Sequence, residues 1–232
     1  MGGGYSYFML LSGQDYPIKS NEYILDFLSE QYPKPLIDHE RVVEGSWAWP
    51  KFSVYKWINR IDAVQKKLKK GLLRSSLVAF FCIANFIETR IIGSPRDNLI
   101  KHNISLYGGS AWWILPHCII DYVTDQLSSN KRIIREFKRV FTPEELFFQT
   151  LAMNSPYSVL INENDDIYTK GDQQCMTFAN FITPTKSFRG HPHIITDEDF
   201  DRIMAKKALF ARKFDMNVCQ SVMDKIDNET QC

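Results

Sequence analysis

The sequence predicts an α/β fold, and three observations carry that prediction. The apolar run of residues 7–11 ends at Ser12-Gly13 and gives way to a helical pattern after Ser20, which makes one strand, loop and helix unit. The run of residues 111–115 passes in the same way into helical spacing over residues 118–127. Two further segments, Thr142-Pro143-Glu144-Glu145 and Thr196-Asp197-Glu198-Asp199, have the form of helix starts, with a Thr to cap and an acid three positions on.

Taken in order, residues 7–11 read as a buried strand delivering a turn. Pro17 fixes the exit of the loop, and Ser20 caps a helix over residues 21–30 with Ile24, Phe27 and Leu28 on one face. Pro33 and Pro35 stop it. Residues 41–50 form a polar connection carrying Gly45, Trp47 and Trp49, which reads as an exposed, functional loop. Residues 54–73 have helical spacing, with Trp57, Ile61, Val64 and Leu68 on one side and Lys66, Lys67, Lys69, Lys70 and Arg74 largely on the other. The longest apolar run, residues 77–87, is too short for a bilayer, contains Asn85, and reads as a buried helix or strand. Gly93-Ser94-Pro95 is a break. The Thr142 segment opens a helix with its body at residues 146–153, residues 162–171 are a polar loop, and the Thr196 segment opens a helix through residue 208.

Composition narrows the function classes. Lys plus Arg number 28 against 27 Asp plus Glu, a formal charge of +1, so no global field draws the protein to nucleic acid. Aromatic residues make up 13% of the chain, more than a disordered protein carries. The length of 232 residues suffices for a single domain with a full core. The five Cys show no CxxC pair and no metal spacing, which fits a reducing compartment. The Met-Gly-Gly-Gly start lacks the regions of a signal peptide, so the expected location is the cytoplasm. Peripheral membrane contact through the Lys66 to Arg74 cluster is the alternative to a solvated helix face.

The block Leu10-Leu11-Ser12-Gly13-Gln14-Asp15-Tyr16-Pro17-Ile18-Lys19-Ser20 resembles the signature of the core-2/I-branching β-1,6-N-acetylglucosaminyltransferase family, which also contains peptide O-xylosyltransferases. Three later blocks occur in the family's order: Gly109-Ser110-Ala111-Trp112-Trp113, Pro143-Glu144-Glu145-Leu146-Phe147-Phe148-Gln149-Thr150 and Leu209-Phe210-Ala211-Arg212-Lys213-Phe214-Asp215. The resemblance implies a GT-A-like mixed sheet flanked by helices. It also implies inverting transfer of N-acetylglucosamine or xylose from a UDP-sugar to a glycan or polysaccharide hydroxyl, with no obligatory metal and no cofactor beyond the UDP-sugar. Family members carry nucleotide-binding βαβ units before the Ser-Gly-Gln-Asp block. The chain is therefore expected to be one N-terminally truncated glycosyltransferase-like domain over residues 1–232. A non-catalytic carbohydrate-binding or assembly protein derived from such an enzyme is the alternative.

By the same resemblance Glu145 is the base that takes the acceptor proton, although on its own terms it is a capping-box partner of Thr142. Lys213 matches the family's diphosphate-binding Lys, and Arg189 the matching Arg once a one-residue gap is allowed. Read alone, Arg212-Lys213 is a surface pair near a helix end. Asp15, just after a strand, contacts acceptor or donor sugar, or else closes its own turn. Of Trp112 and Trp113, one ring lies under a sugar and the other in the core. Phe181 stands where the family often has an acceptor-side Trp, and Thr177 where an Arg is common. Asp165-Asp166 reads as a pair of solvated loop acids rather than a cation cage.

Overall fold

The computed structural model describes residues 4–52, 58–69, 71–161, 169–170, 173–181 and 192–230. In chain order the elements are β1 (Tyr7–Met9), β2 (Asp15–Pro17), α1 (Asn21–Gln31), β3 (Leu36–Ile37), β4 (Glu40–Arg41), α2 (Ile58–Lys67), α3 (Leu72–Ile92), α4 (Pro95–Ile100), β5 (Tyr107–Gly108), β6 (Trp113–Pro116) and α5 (His117–Ser129). They continue with α6 (Lys131–Phe137), α7 (Phe147–Met153), β7 (Thr169–Lys170), β8 (Gln173–Gln174), β9 (Thr177–Ala179), α8 (Phe200–Met204), β10 (Phe210–Arg212) and α9 (Gln220–Thr230). The result is a mixed α/β protein whose residues group into two compact units.

The first unit comprises Met1–Asp38, Ser110–Ile120 and Val159–Cys232. It holds an antiparallel sheet of order β1-β6-β3 and a mixed sheet of order β2-β10-β9-β8-β7. In the mixed sheet β10 pairs antiparallel with β2, Arg212 opposite Asp15, and parallel with β9, Arg212 opposite Ala179. Ser20 caps α1 by accepting from the Tyr23 amide at 3.1 Å, which satisfies one of the helix's orphan donors. The face thus presented buries Ile24 and Leu28 among Leu36, Ile114, Met176 and Phe210. A second apolar cluster sets Val222, Met223 and Ile226 of α9 against Ile18, Phe178 and Ile195. Burying side chains of this size stabilises by about 1.5–3 kcal/mol each. The capping box expected at Thr196 forms, with Asp199 as its acid.

The second unit, His39–Gly109 and Asp121–Ser158, is mainly helical with the two-stranded β4–β5 ladder. Its core includes Phe52, Leu99, Ile133, Phe137, Leu146 and Leu151, with Phe137 edge-on to both Phe52 and Phe147. Thr150 of α7 and Asn154 just after it hold β5 and the residues before it by their backbone. The Thr150 hydroxyl accepts from the Tyr107 amide at 3.1 Å and donates to its carbonyl at 3.0 Å, and Asn154 does the same for Ser105 at 3.0 and 2.6 Å. This double bracket fixes the approach to Gly108 and Gly109.

Several local expectations need correction. β1 ends at Met9, is only partly buried, and leaves Leu10 and Leu11 about 40% exposed, because it is an edge strand of its sheet. Residues 77–87 are helical but not covered: no residue of α3 is buried, and the helix extends from Leu72 to Ile92. The helix expected over residues 54–73 is α2, ending at Lys67 before a break at Gly71; Trp57 lies outside the described residues. Thr142 is no N-cap. It sits in the left-handed region at φ 48° and opens a short 3-10 turn, Pro143–Glu145, none of whose amides donates to its side chain. Phe210–Arg212 is a strand rather than a helix end, and α8 stops at Met204 rather than at residue 208. Of the loop expected at 162–171, only Thr169–Lys170 are described, and they form β7.

Candidate functional site

The predicted residues fall into two clusters, one in each unit. In the first unit the parallel pair β9 and β10 ends on the same side as β2 begins, so Asp15, Arg212, Lys213 and Phe181 share one end of the sheet. Strand ends of this kind are where open α/β sheets present ligand-binding residues. Asp15 Oδ2 accepts from the Ser12 amide at 2.5 Å and from the Trp112 indole at 2.9 Å, while Oδ1 faces Arg212 Nε at 3.4 Å. The Arg212 guanidinium also lies over the Trp112 ring, 3.8 Å from its centroid. Burial pulls Arg212 below the usual guanidinium range, and the neighbouring Asp15 charge partly restores it.

The Asp15 side chain is 0% exposed, so its carboxylate closes its own turn and clamps Trp112 and Arg212. Trp113 is buried in β6 and belongs to the core, whereas Trp112 is half-buried with one ring face taken by Arg212. Lys213 and Phe181 are half-buried, and the Lys213 carbonyl accepts from the Ile195 amide at 2.9 Å. No described carboxylate pairs with the Lys213 ammonium. Arg189 and the Asp165-Asp166 pair lie outside the described residues. Sequence reasoning read Arg212 as part of a surface pair, whereas its side chain is mostly buried in β10, and it passed over His193, whose amide donates to the Asn180 carbonyl at 2.8 Å and whose Nε2 is buried with no hydrogen-bond partner among the described residues. The signal for Arg212 was its place one residue before Lys213. For His193 the sequence carried none.

The second cluster surrounds Glu145. The Lys51 ammonium pairs with Glu145 Oε2, and the Thr142 hydroxyl donates to the same oxygen at 3.3 Å. Oε1 has no partner among the described residues. The carboxylate is 32% exposed, enough to be reached from solvent. Backbone bonds hold the surroundings together: the Gly109 amide donates to the Glu145 carbonyl at 2.9 Å, and the Phe141 amide to the Lys51 carbonyl at 3.0 Å. Lys51 stands 4.3 Å from the centroid of the Trp47 ring, and the Trp47 indole donates to Glu40 at 2.8 Å. Trp47 is 44% exposed, so an indole edge remains open beside the carboxylate.

Gly108 explains how these parts come so close. A Cβ there would meet Ala48 at 3.0 Å, Leu146 at 3.1 Å and Trp47 at 3.3 Å, so a side chain would push apart the Trp47 loop and the Glu145 turn. Chemically, the second cluster is a carboxylate with one oxygen held and one available, next to an aromatic platform. The first cluster is a buried clamp with a lysine beside it. Among the described residues no group of three or more His, Cys, Asp or Glu is arranged to hold a metal ion.

Residues 2–204 match the family model for the core-2/I-branching enzyme. A beta-glucuronosyltransferase of Arabidopsis thaliana is 26% identical over 231 residues, covering 98% of this chain and 44% of the relative. Xylosyltransferase 1 of Homo sapiens is 23% identical over 229 residues, 96% of this chain and 21% of the relative. Xylosyltransferase 2 of Mus musculus is 22% identical over 233 residues, 97% of this chain and 23% of the relative. All three are glycosyltransferases by name, and the chain spans less than half of their length.

Proposed function

The chain belongs to the core-2/I-branching enzyme family, and from that premise we propose that it transfers a sugar from a UDP-sugar to a hydroxyl of a glycan or polysaccharide by one inverting displacement. The observation that carries this reading is Glu145, whose Oε1 is open while Lys51 and Thr142 hold Oε2. In the reaction the acceptor oxygen attacks the anomeric carbon and its proton passes to Glu145 Oε1. The bond from that carbon to the diphosphate breaks, and its electron pair leaves with UDP. Lys213 and Arg189 oppose the charge that develops on the departing diphosphate, so fixed cations replace a resident metal. Trp47 offers its indole to an apolar face of the acceptor sugar, and Asp15 with Trp112 positions Arg212 and the Lys213 strand end. The transferred sugar is N-acetylglucosamine, xylose or glucuronic acid, the last two being those named for the relatives.

Calorimetric titration with UDP and assay of the chain with each UDP-sugar test the proposal. We expect measurable UDP affinity, transfer that persists in EDTA, and a β-linked product from an α-linked donor. Glycan binding without UDP affinity would instead identify a non-catalytic relative of such enzymes.

A further inference from the structure

The α2–α3 hairpin is not used by the proposed reaction, and its surface is unlike that of the rest of the chain. α3 is 21 residues long and contains no buried residue. One side of it, Leu77, Phe81, Ala84, Asn85 and Glu88, is half-buried, and α2 packs along the helix. The adjoining side, about a quarter-turn around the helix, carries Leu73, Phe80, Ile83, Ile87 and Ile91 at helical spacing, all between 48% and 79% exposed. A stripe of large apolar side chains of this length is far more than a solvated face needs.

Charge selects what covers it. Residues 63–87 contain five cations, Lys66, Lys67, Lys69, Lys70 and Arg74, and no Asp or Glu, while the rest of the chain is net acidic. An anionic surface is therefore attracted to this hairpin and repelled elsewhere. We infer that α3 lies in the surface of an anionic lipid bilayer, with the Phe80, Ile83 and Ile87 stripe sunk among the acyl chains and the Lys66 to Arg74 cluster on the lipid phosphates.

α3 is long and apolar enough to cross a membrane, but the structure opposes a crossing. At its C-terminal end Arg139 ties Glu88 at 3.1 Å and the Gly93 carbonyl at 2.7 Å to α6. At the other end a span would drag the lysines and the polar α2 through hydrocarbon. Lying flat leaves both ends in water. The arrangement would hold the protein at the surface on which a lipid-linked or membrane-bound acceptor is displayed.

The test is co-sedimentation of the full chain with vesicles of phosphatidylcholine alone and of phosphatidylcholine with phosphatidylglycerol. The expected result is association with the anionic vesicles only, falling at least tenfold between 0.01 M and 0.5 M salt, as the screening length shrinks from about 30 Å to about 4 Å. The Phe80→Asp/Ile87→Asp variant should lose at least tenfold in partition at low salt with an unchanged circular dichroism spectrum. The Lys66→Glu/Lys67→Glu variant, which alters only exposed side chains, should lose as much and guards against a folding defect. Equal partition onto the neutral vesicles, or wild-type partition by both variants, would overturn the inference. So would a lipid-free dimer that the Phe80→Asp/Ile87→Asp variant dissociates, since a second copy would then be what covers α3.

Discussion

Asp15 and Glu145 are both carboxylates paired with a cation beside a Trp, yet their surroundings give them opposite roles. Asp15 is 0% exposed, and its oxygens are engaged by Ser12, Trp112 and Arg212. Glu145 is 32% exposed and has Lys51 and Thr142 on one oxygen, with the other open. A buried carboxylate held by two donors on Oδ2, with a guanidinium against its buried Oδ1, contributes order, because disturbing it leaves a buried charge unpaired. An exposed carboxylate with an open oxygen contributes little to stability and is free to exchange a proton. Residue type and a nearby cation therefore do not identify a catalytic acid; a free oxygen that solvent can reach does, and Asp15 Oδ1, buried against Arg212, is not one.

The largest break in this comparison should come from Asp15→Ala. It strands Arg212 without its carboxylate and should cost about 3–5 kcal/mol in denaturant unfolding. A loss under 1 kcal/mol would mean that Asp15 is not the clamp described. Next, Lys213→Ala should weaken UDP affinity by about 10-fold to 100-fold in calorimetry while leaving unfolding within about 0.5 kcal/mol, the range of a charge-assisted hydrogen bond lost from a ligand. A change in stability without a change in affinity would move Lys213 from the donor site to the scaffold. Trp47→Ala should raise the acceptor KM about fivefold with UDP affinity unchanged, as expected for one lost stacking face.

The smallest effect concerns the first unit alone. Burial pushes the Cys175 thiol up from 9.0 to about 12. The folded state then keeps a proton that the unfolded chain releases, so this contribution to stability is intact below pH 9 and falls by about 1.4 kcal/mol per unit as pH rises from 9 toward 12. Unfolding curves of the wild type and Cys175→Ala at pH 8 and 10 should diverge in that sense. Equal pH dependence would contradict it. In native protein, iodoacetamide should modify exposed Cys82 and leave Cys175 and Cys219 untouched.

Much of the fold could be read in the sequence where a local signal and a tertiary role agree. Ser20 caps α1, the spacing of Ile24 and Leu28 faces the core, and Thr196 with Asp199 forms its capping box, because each depends on residues a few positions apart. The misreadings have the opposite origin. An apolar run shows that a helix can be buried but says nothing of whether anything covers it, and so α3 was expected inside. Three residues, Phe210 to Arg212, are too few to show the alternation of a strand, and the burial of Arg212 depends on Asp15 from the other end of the chain. At Thr142 a left-handed backbone defeats a cap that the residue types favour. The family blocks drew attention to Asp15, Trp112, Glu145 and Lys213, but the division of Trp112 from Trp113, and of the clamp from the open carboxylate, depends on contacts that spacing does not encode.

Glu145→Gln tests the central assignment most directly, measured in a single turnover with donor and acceptor saturating so that only the chemical step is read. Loss of the base predicts that step slowed about 1000-fold, with UDP affinity and unfolding unchanged. A Glu145→Gln enzyme that transfers sugar at the wild-type rate would contradict it and leave the proton to another group.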